Sequence, residues 1–155
     1  MKFRSYQIFF IISIVLIVVA LCMPVLQLVE PNGATALLSN FSLLQPDGSK
    51  SYVVCALGGV LIFTALVNLF TLIVSSFQNF ELQKRCSILG VILLTGYYVL
   101  LLIVSLLLIE GVSVVMQIAL LFPFIALILN VLSFMSIRRT EASILAKAAG
   151  FRLRD

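Results

Sequence analysis

CSILGVILLTGYYVLLLIVSLLLI, residues 86–109, is 24 residues long and contains no charged side chain. As an α-helix it would measure about 36 Å at 1.5 Å per residue, enough for the roughly 30 Å hydrocarbon core of a bilayer. Three more stretches share this character: Tyr6–Val29, Tyr52–Ser76 and Val114–Ile137, of 24, 25 and 24 residues. None of the four contains Asp, Glu, Lys, Arg or His. Only helices or closed barrels satisfy their backbone inside lipid, and these runs lack the strict alternation of barrel strands. The reading is an all-α integral membrane protein, a bundle of four transmembrane helices forming one domain over residues 1–155. A mean hydropathy of +1.25 and 63% hydrophobic residues agree.

Basic residues orient the bundle. Lys2 and Arg4 precede the first run, Lys84 and Arg85 lie between the second and third, and Arg138, Arg139, Lys147, Arg152 and Arg154 follow the fourth. Lys50 alone falls on the other side, with Glu30, Asp47 and Glu110. By the positive-inside rule both termini are cytoplasmic. The basic residues are then expected at the membrane surface, against anionic headgroups, and not on nucleic acid. The first run is too long for a signal-peptide core, and Leu21 stands where a lipoprotein site before Cys22 needs a small residue, so it reads as a retained anchor.

Chemistry has little to work with. The chain has no His and three cysteines, Cys22, Cys55 and Cys86, with no Cys-x-x-Cys, so no metal or cofactor site is expected. Cys22 and Cys55 both fall toward the outer side, where a disulfide is conceivable, but packing as small apolar residues is the plainer reading. Catalytic residues are not expected, because a nucleophile–base pair cannot be assembled without His or an intramembrane carboxylate.

Outside the spans, the 22-residue segment Glu30–Ser51 is the largest feature. Turn signals bracket it, Glu30-Pro31-Asn32-Gly33 and Pro46-Asp47-Gly48, and its apolar middle reads as either a short strand or an interfacial segment, a hairpin against Ser49–Val53 being one arrangement open to it. Asn40-Phe41-Ser42 has the form of a glycosylation sequon. Phe77–Arg85 is expected as the inner connection and Glu110–Ser113 as a short outer one. The tail from Arg138 to Asp155 is expected to continue the fourth helix and then lie along the inner surface, as a basic anchor or a docking helix.

Neutral polar and small residues recur at helical spacing within the spans. In the second run they are Thr64, Asn68, Thr71 and Ser75; in the fourth, Ala119, Pro123, Ala126, Asn130 and Ser133. Such stripes are how membrane helices approach closely and hydrogen-bond to one another. Asn68 and Asn130 fall at matching depth and are expected to face each other or a shared central seam. Of Tyr97 and Tyr98, one is expected to join this seam and the other to find a backbone carbonyl. Pro123 is expected to bend the fourth helix.

Three segments carry a resemblance. They are Arg4-Ser5-Tyr6-Gln7 leading to Met23-Pro24; Leu82-Gln83-Lys84-Arg85-Cys86; and Phe122-Pro123 through Asn130 to Ile137-Arg138-Arg139-Thr140-Glu141, then Arg152-Leu153-Arg154. Together they resemble an uncharacterised family of small four-helix membrane proteins from Bacteroidota, domain of unknown function 4293. The family's usual Asp after the paired basic residues is Thr140 here, and its Asp before the closing Arg-Leu-Arg is Phe151. The resemblance implies the inner membrane of a didermal bacterium and implies no activity. The function expected is a non-enzymatic accessory or scaffold subunit of a larger membrane assembly. Its partners would be the lipid bilayer and either another membrane protein or further copies of itself. The alternative is a small transporter or channel component acting as an oligomer through the polar seam.

Overall fold

The computed structural model describes residues 4–108 and 111–152, with side chains as far as Gly150. It is mostly helical, with four helices long and apolar enough to cross a membrane. They are α1 (Ser5–Cys22), α2 (Cys55–Ser75), α3 (Phe80–Leu108) and α4 (Leu121–Arg152). Each turns a regular stripe inward. Buried positions are Tyr6, Phe10, Ser13, Ile17 and Ala20 in α1, and Leu61, Thr64, Asn68, Thr71 and Ser75 in α2. In α3 they are Gln83, Ser87, Gly90, Leu94, Tyr97 and Leu101, and in α4 Ala126, Asn130, Ser133 and Ile137. Spacings of three and four residues along every stripe are those of knobs-into-holes bundles. α1 and α3 each pack against α2 and α4, so α2 and α4 stand diagonally across the axis.

A five-stranded antiparallel sheet covers one end, in the order β4-β3-β2-β1-β5. Its strands are β1 (Leu26–Val29), β2 (Thr35–Leu38), β3 (Leu43–Leu44), β4 (Lys50–Ser51) and β5 (Ser113–Met116). Both expected turns form, with Gly33 and Gly48 at φ of 83° and 84°, where a side chain would be strained. The hairpin against Ser49–Val53 is the β3–β4 pair, Leu43 opposite Ser51 and Leu44 opposite Lys50. Val25, Leu26 and Leu38 share one apolar core with Ile17, Leu57, Leu61 and Leu101, which seats the sheet on the helix ends.

The sheet corrects two expected boundaries. α1 stops at Cys22, not Val29, because Met23 before Pro24 is held extended at φ −108°, ψ 149° and the apolar run continues as β1. α4 begins at Leu121, not Val114; Ser113–Met116 pairs with β1 and a short 3-10 turn, Ile118–Leu120, leads into the helix. Pro123 therefore lies in the first turn of α4, where its missing N–H costs nothing. At the opposite end α3 starts at Phe80, so the connection there shortens to Ser76–Asn79, with Gln78 at φ 54°. α4 runs unbroken through Arg152, making the tail a continuation of the helix. Glu110, Lys2 and Arg154 lie outside the described residues.

Candidate functional site

Ser13 is the one polar residue between Ile8 and Leu21, and it sits where all four helices meet. Its Oγ accepts from Asn68 Nδ2 at 3.1 Å and from Asn130 Nδ2 at 3.2 Å. The two asparagines share a central seam, bridged by Ser13 across the diagonal. Gly90 supplies the room on α3: a Cβ there would lie 3.2 Å from Asn68 Oδ1 and 3.4 Å from Asn130 Oδ1. Among the described residues neither Oδ1 has a partner, and the Ser13 proton has no acceptor. Asn130 is fixed by a second donation, 3.0 Å to the Ala126 carbonyl, so Asn68 is the amide free to turn over. Turned, it would accept the Ser13 proton and direct its NH2 toward Gly90.

Outward from this centre the stripe residues are buried, and most serve their own helix. Thr64, Thr71 and Ser133 each donate at 2.8 Å to the carbonyl four residues back, Val60, Val67 and Leu129. This lets a hydroxyl sit in an apolar interface without a cross-helix partner. Ser75 accepts from Gln7 Nε2 at 2.7 Å and donates to the Leu72 carbonyl at 2.8 Å. Gln7 also takes the Arg4 N–H on its Oε1 at 3.0 Å, capping α1 while tying it to α2. Ser87 Oγ donates to the Asn130 carbonyl at 3.1 Å. Gln83 is fully buried, and neither polar atom of its amide has a partner among the described residues.

Toward the sheet the core closes on Asn40, which is fully buried in the connection between β2 and β3. Its Oδ1 accepts from Tyr97 Oη at 2.7 Å, its Nδ2 donates to the Ala20 carbonyl at 2.8 Å, and its own carbonyl accepts from Gly58 N at 2.7 Å. One residue thus fastens the sheet to α1, α2 and α3. Burial also removes Asn40 as a glycosylation acceptor. Tyr98 finds a backbone carbonyl, that of Leu120, at 2.6 Å. A family model described as Domain of unknown function (DUF4293) matches residues 4–148. The chain belongs to that family.

The DUF4293 match takes in the whole polar core and, at the far end of the bundle, an ionic cluster. Lys84 Nζ lies 3.0 Å from Glu141 Oε2 and 3.5 Å from Glu81 Oε1, joining α3 to α4. The hydrogen bond to Glu141 holds the Lys84 ammonium above its usual pKa range. Arg85 is exposed, 3.7 Å from Glu81. The Arg138 guanidinium stands 5.9 Å over the Phe134 ring, while Arg139 and Lys147 are exposed. The Arg152 side chain is outside the described residues. All three cysteines are free thiols, Cys22 and Cys55 on the surface. No curated protein matches the chain.

The sequence reading placed Thr64, Asn68, Thr71, Ser75, Tyr97, Ala126, Asn130 and Ser133 in the seam, and all eight are buried. Ser13, Asn40, Gln83, Ser87 and Gly90 were not placed in this core by the sequence, Asn40 being read only as part of a sequon and Gln83 only within the family resemblance. A signal existed for four of them: Ser13 is isolated in an apolar run, and Gln83, Ser87 and Gly90 share the stripe spacing of Tyr97. Asn40 had no such signal, because its role depends on where a loop docks.

Proposed function

We propose that this member of the DUF4293 family is a non-enzymatic multi-pass protein of a bacterial inner membrane. Both termini are cytoplasmic, and it serves as an accessory or scaffold subunit of a larger membrane assembly. The observation that carries the reading is the far end of α4. Ala142–Gly150 are all exposed, with Ile144 and Leu145 uncovered beside Lys147. A helix end offering apolar and basic residues suits docking on a partner helix or groove. The polar core supports the same reading, since most of its groups are bonded within their own helix or to a neighbouring one and do not face a cleft.

The test is co-purification in mild detergent from the native membrane, comparing the full chain with a variant lacking residues 142–155. A stoichiometric membrane partner that is lost on deletion is the expected result. Its absence from the full chain argues against the scaffold role.

The second reading, a transporter or channel component acting as an oligomer through the seam, draws on the unpartnered Asn68 Oδ1, Asn130 Oδ1 and Gln83 amide. Buried polar atoms without partners recruit water or ions when space allows. Flux through reconstituted vesicles, abolished by Asn68→Leu, would favour it over the scaffold.

A further inference from the structure

The two edges of the sheet are built differently. β4 has two residues, one of them Lys50, and follows a turn holding Pro46 and Asp47. Charge, proline and shortness are the usual guards of an edge strand. β5 is twice as long, and from Gly111 to Leu121 the chain has no charge and no proline. Val115 and Met116 are 48% and 74% exposed.

The register fixes which backbone groups are free. β5 pairs with β1 as Leu26 opposite Met116, Gln27 opposite Val115, Leu28 opposite Val114 and Val29 opposite Ser113. Gln117 N donates to the Val25 carbonyl at 3.1 Å. Alternation along an antiparallel pair then turns the N–H and C=O of Ser113 and Val115 toward β1. Those of Val112, Val114 and Met116 point to the open edge.

We propose that this edge pairs antiparallel with β5 of a second copy of the chain, about a two-fold axis at Val114. Val114 then lies opposite the partner's Val114, Val112 opposite the partner's Met116 and Ser113 opposite the partner's Val115. Every N–H and C=O that Val112, Val114 and Met116 turn to the edge, none of them bonded among the described residues, gains a mate, and the ladder continues from one five-stranded sheet into the other. Charge selects the edge and the occupant. An uncharged strand meets its own copy without repulsion, whereas β4 against itself would bring two Lys50 ammonium groups together. Symmetry is compatible with a shared membrane. The axis of such a pair is normal to the sheet at the shared edge, and where it lies along the membrane normal both copies keep the same orientation. The inference does not rest on the scaffold reading, since a homodimer can form with or without a further partner.

The test uses the full chain with Cys22, Cys55 and Cys86 replaced by alanine. Residues directly opposite on antiparallel strands have Cα atoms about 4.5–5.5 Å apart, within reach of a disulfide. Oxidation of native membranes is expected to double the apparent mass of Val114→Cys and to leave Lys50→Cys unchanged. Val114→Pro removes an N–H that β1 does not use, and is expected to halve the native mass of the solubilised protein. A double Ser113→Cys, Val115→Cys variant gives an independent reading should Val114→Cys accumulate poorly. The proposal is overturned if Val114→Cys and the double variant stay monomeric under oxidation. It is overturned equally if Val114→Cys and Lys50→Cys cross-link alike, or if Val114→Cys links to a different polypeptide.

Discussion

Single methyl groups probe the packing of this bundle most cleanly, because its helical glycines fall into two kinds. At Gly58 the Phe41 ring and the Asn40 carbonyl, 2.9 Å away, occupy the place of a Cβ; at Gly90 the two asparagine oxygens crowd it. Gly59 and Gly96 have nothing within 4 Å. Gly58→Ala is therefore expected to destabilise by roughly 1–3 kcal/mol, and Gly90→Ala by less, since an amide can shift where backbone cannot. Gly59→Ala and Gly96→Ala should be neutral or stabilising by up to about 1 kcal/mol. Thermal denaturation of the four variants in one detergent checks the order. Ser13→Ala strips both amides of their common acceptor and should cost about 1–2 kcal/mol by the same measurement. Asn40→Ala should cost more than Tyr97→Phe, because it removes the bonds to the Ala20 carbonyl and to the Tyr97 hydroxyl together and leaves that buried hydroxyl without its acceptor, whereas the phenylalanine removes one bond of the set.

At the level of elements, the hydropathy of the chain located all four helices and was least informative at their sheet-side ends. Leu26–Val29 and Ser113–Met116 are short, apolar and joined directly to longer apolar runs. Such stretches read alike as strand or helix by hydropathy. Pro24 was the local signal that separated β1 from α1. For β5 the partner strand lies far away in the sequence, which no local pattern reports. The stripes in α2 and α4 were legible because helical spacing is a local property, and the diagonal bridge between them was not, because it needed α1. Adjacent residues of β5 should also separate two kinds of pairing. Val115→Pro removes an N–H directed at Gln27 and should open the β1–β5 pair within one chain. The readout is faster hydrogen exchange across residues 26–29, which Val114→Pro leaves protected.

Taken whole, the molecule has its sheet at one end, while α1 begins and α4 ends at the other. The nine-to-one distribution of basic residues sets the expected sidedness. In the cysteine-free background, Lys50→Cys in intact cells should react with a membrane-impermeant thiol reagent, and Ser143→Cys should react only after lysis. The reverse pattern would invert the topology.

The pairing of β1 with β5 also bears on the order of manufacture. Gln27 and Gln117, whose side chains meet across these strands at 3.1 Å, are separated by 90 residues. At 5–20 residues per second of synthesis, β1 is made roughly 5–18 s before its second neighbour. During that interval two more helices must enter the membrane, while β1, an interior strand of the finished cap, waits as an edge. A β5 arriving from another ribosome can fill the vacancy just as well, so crowded translation of this message favours interlocked chains.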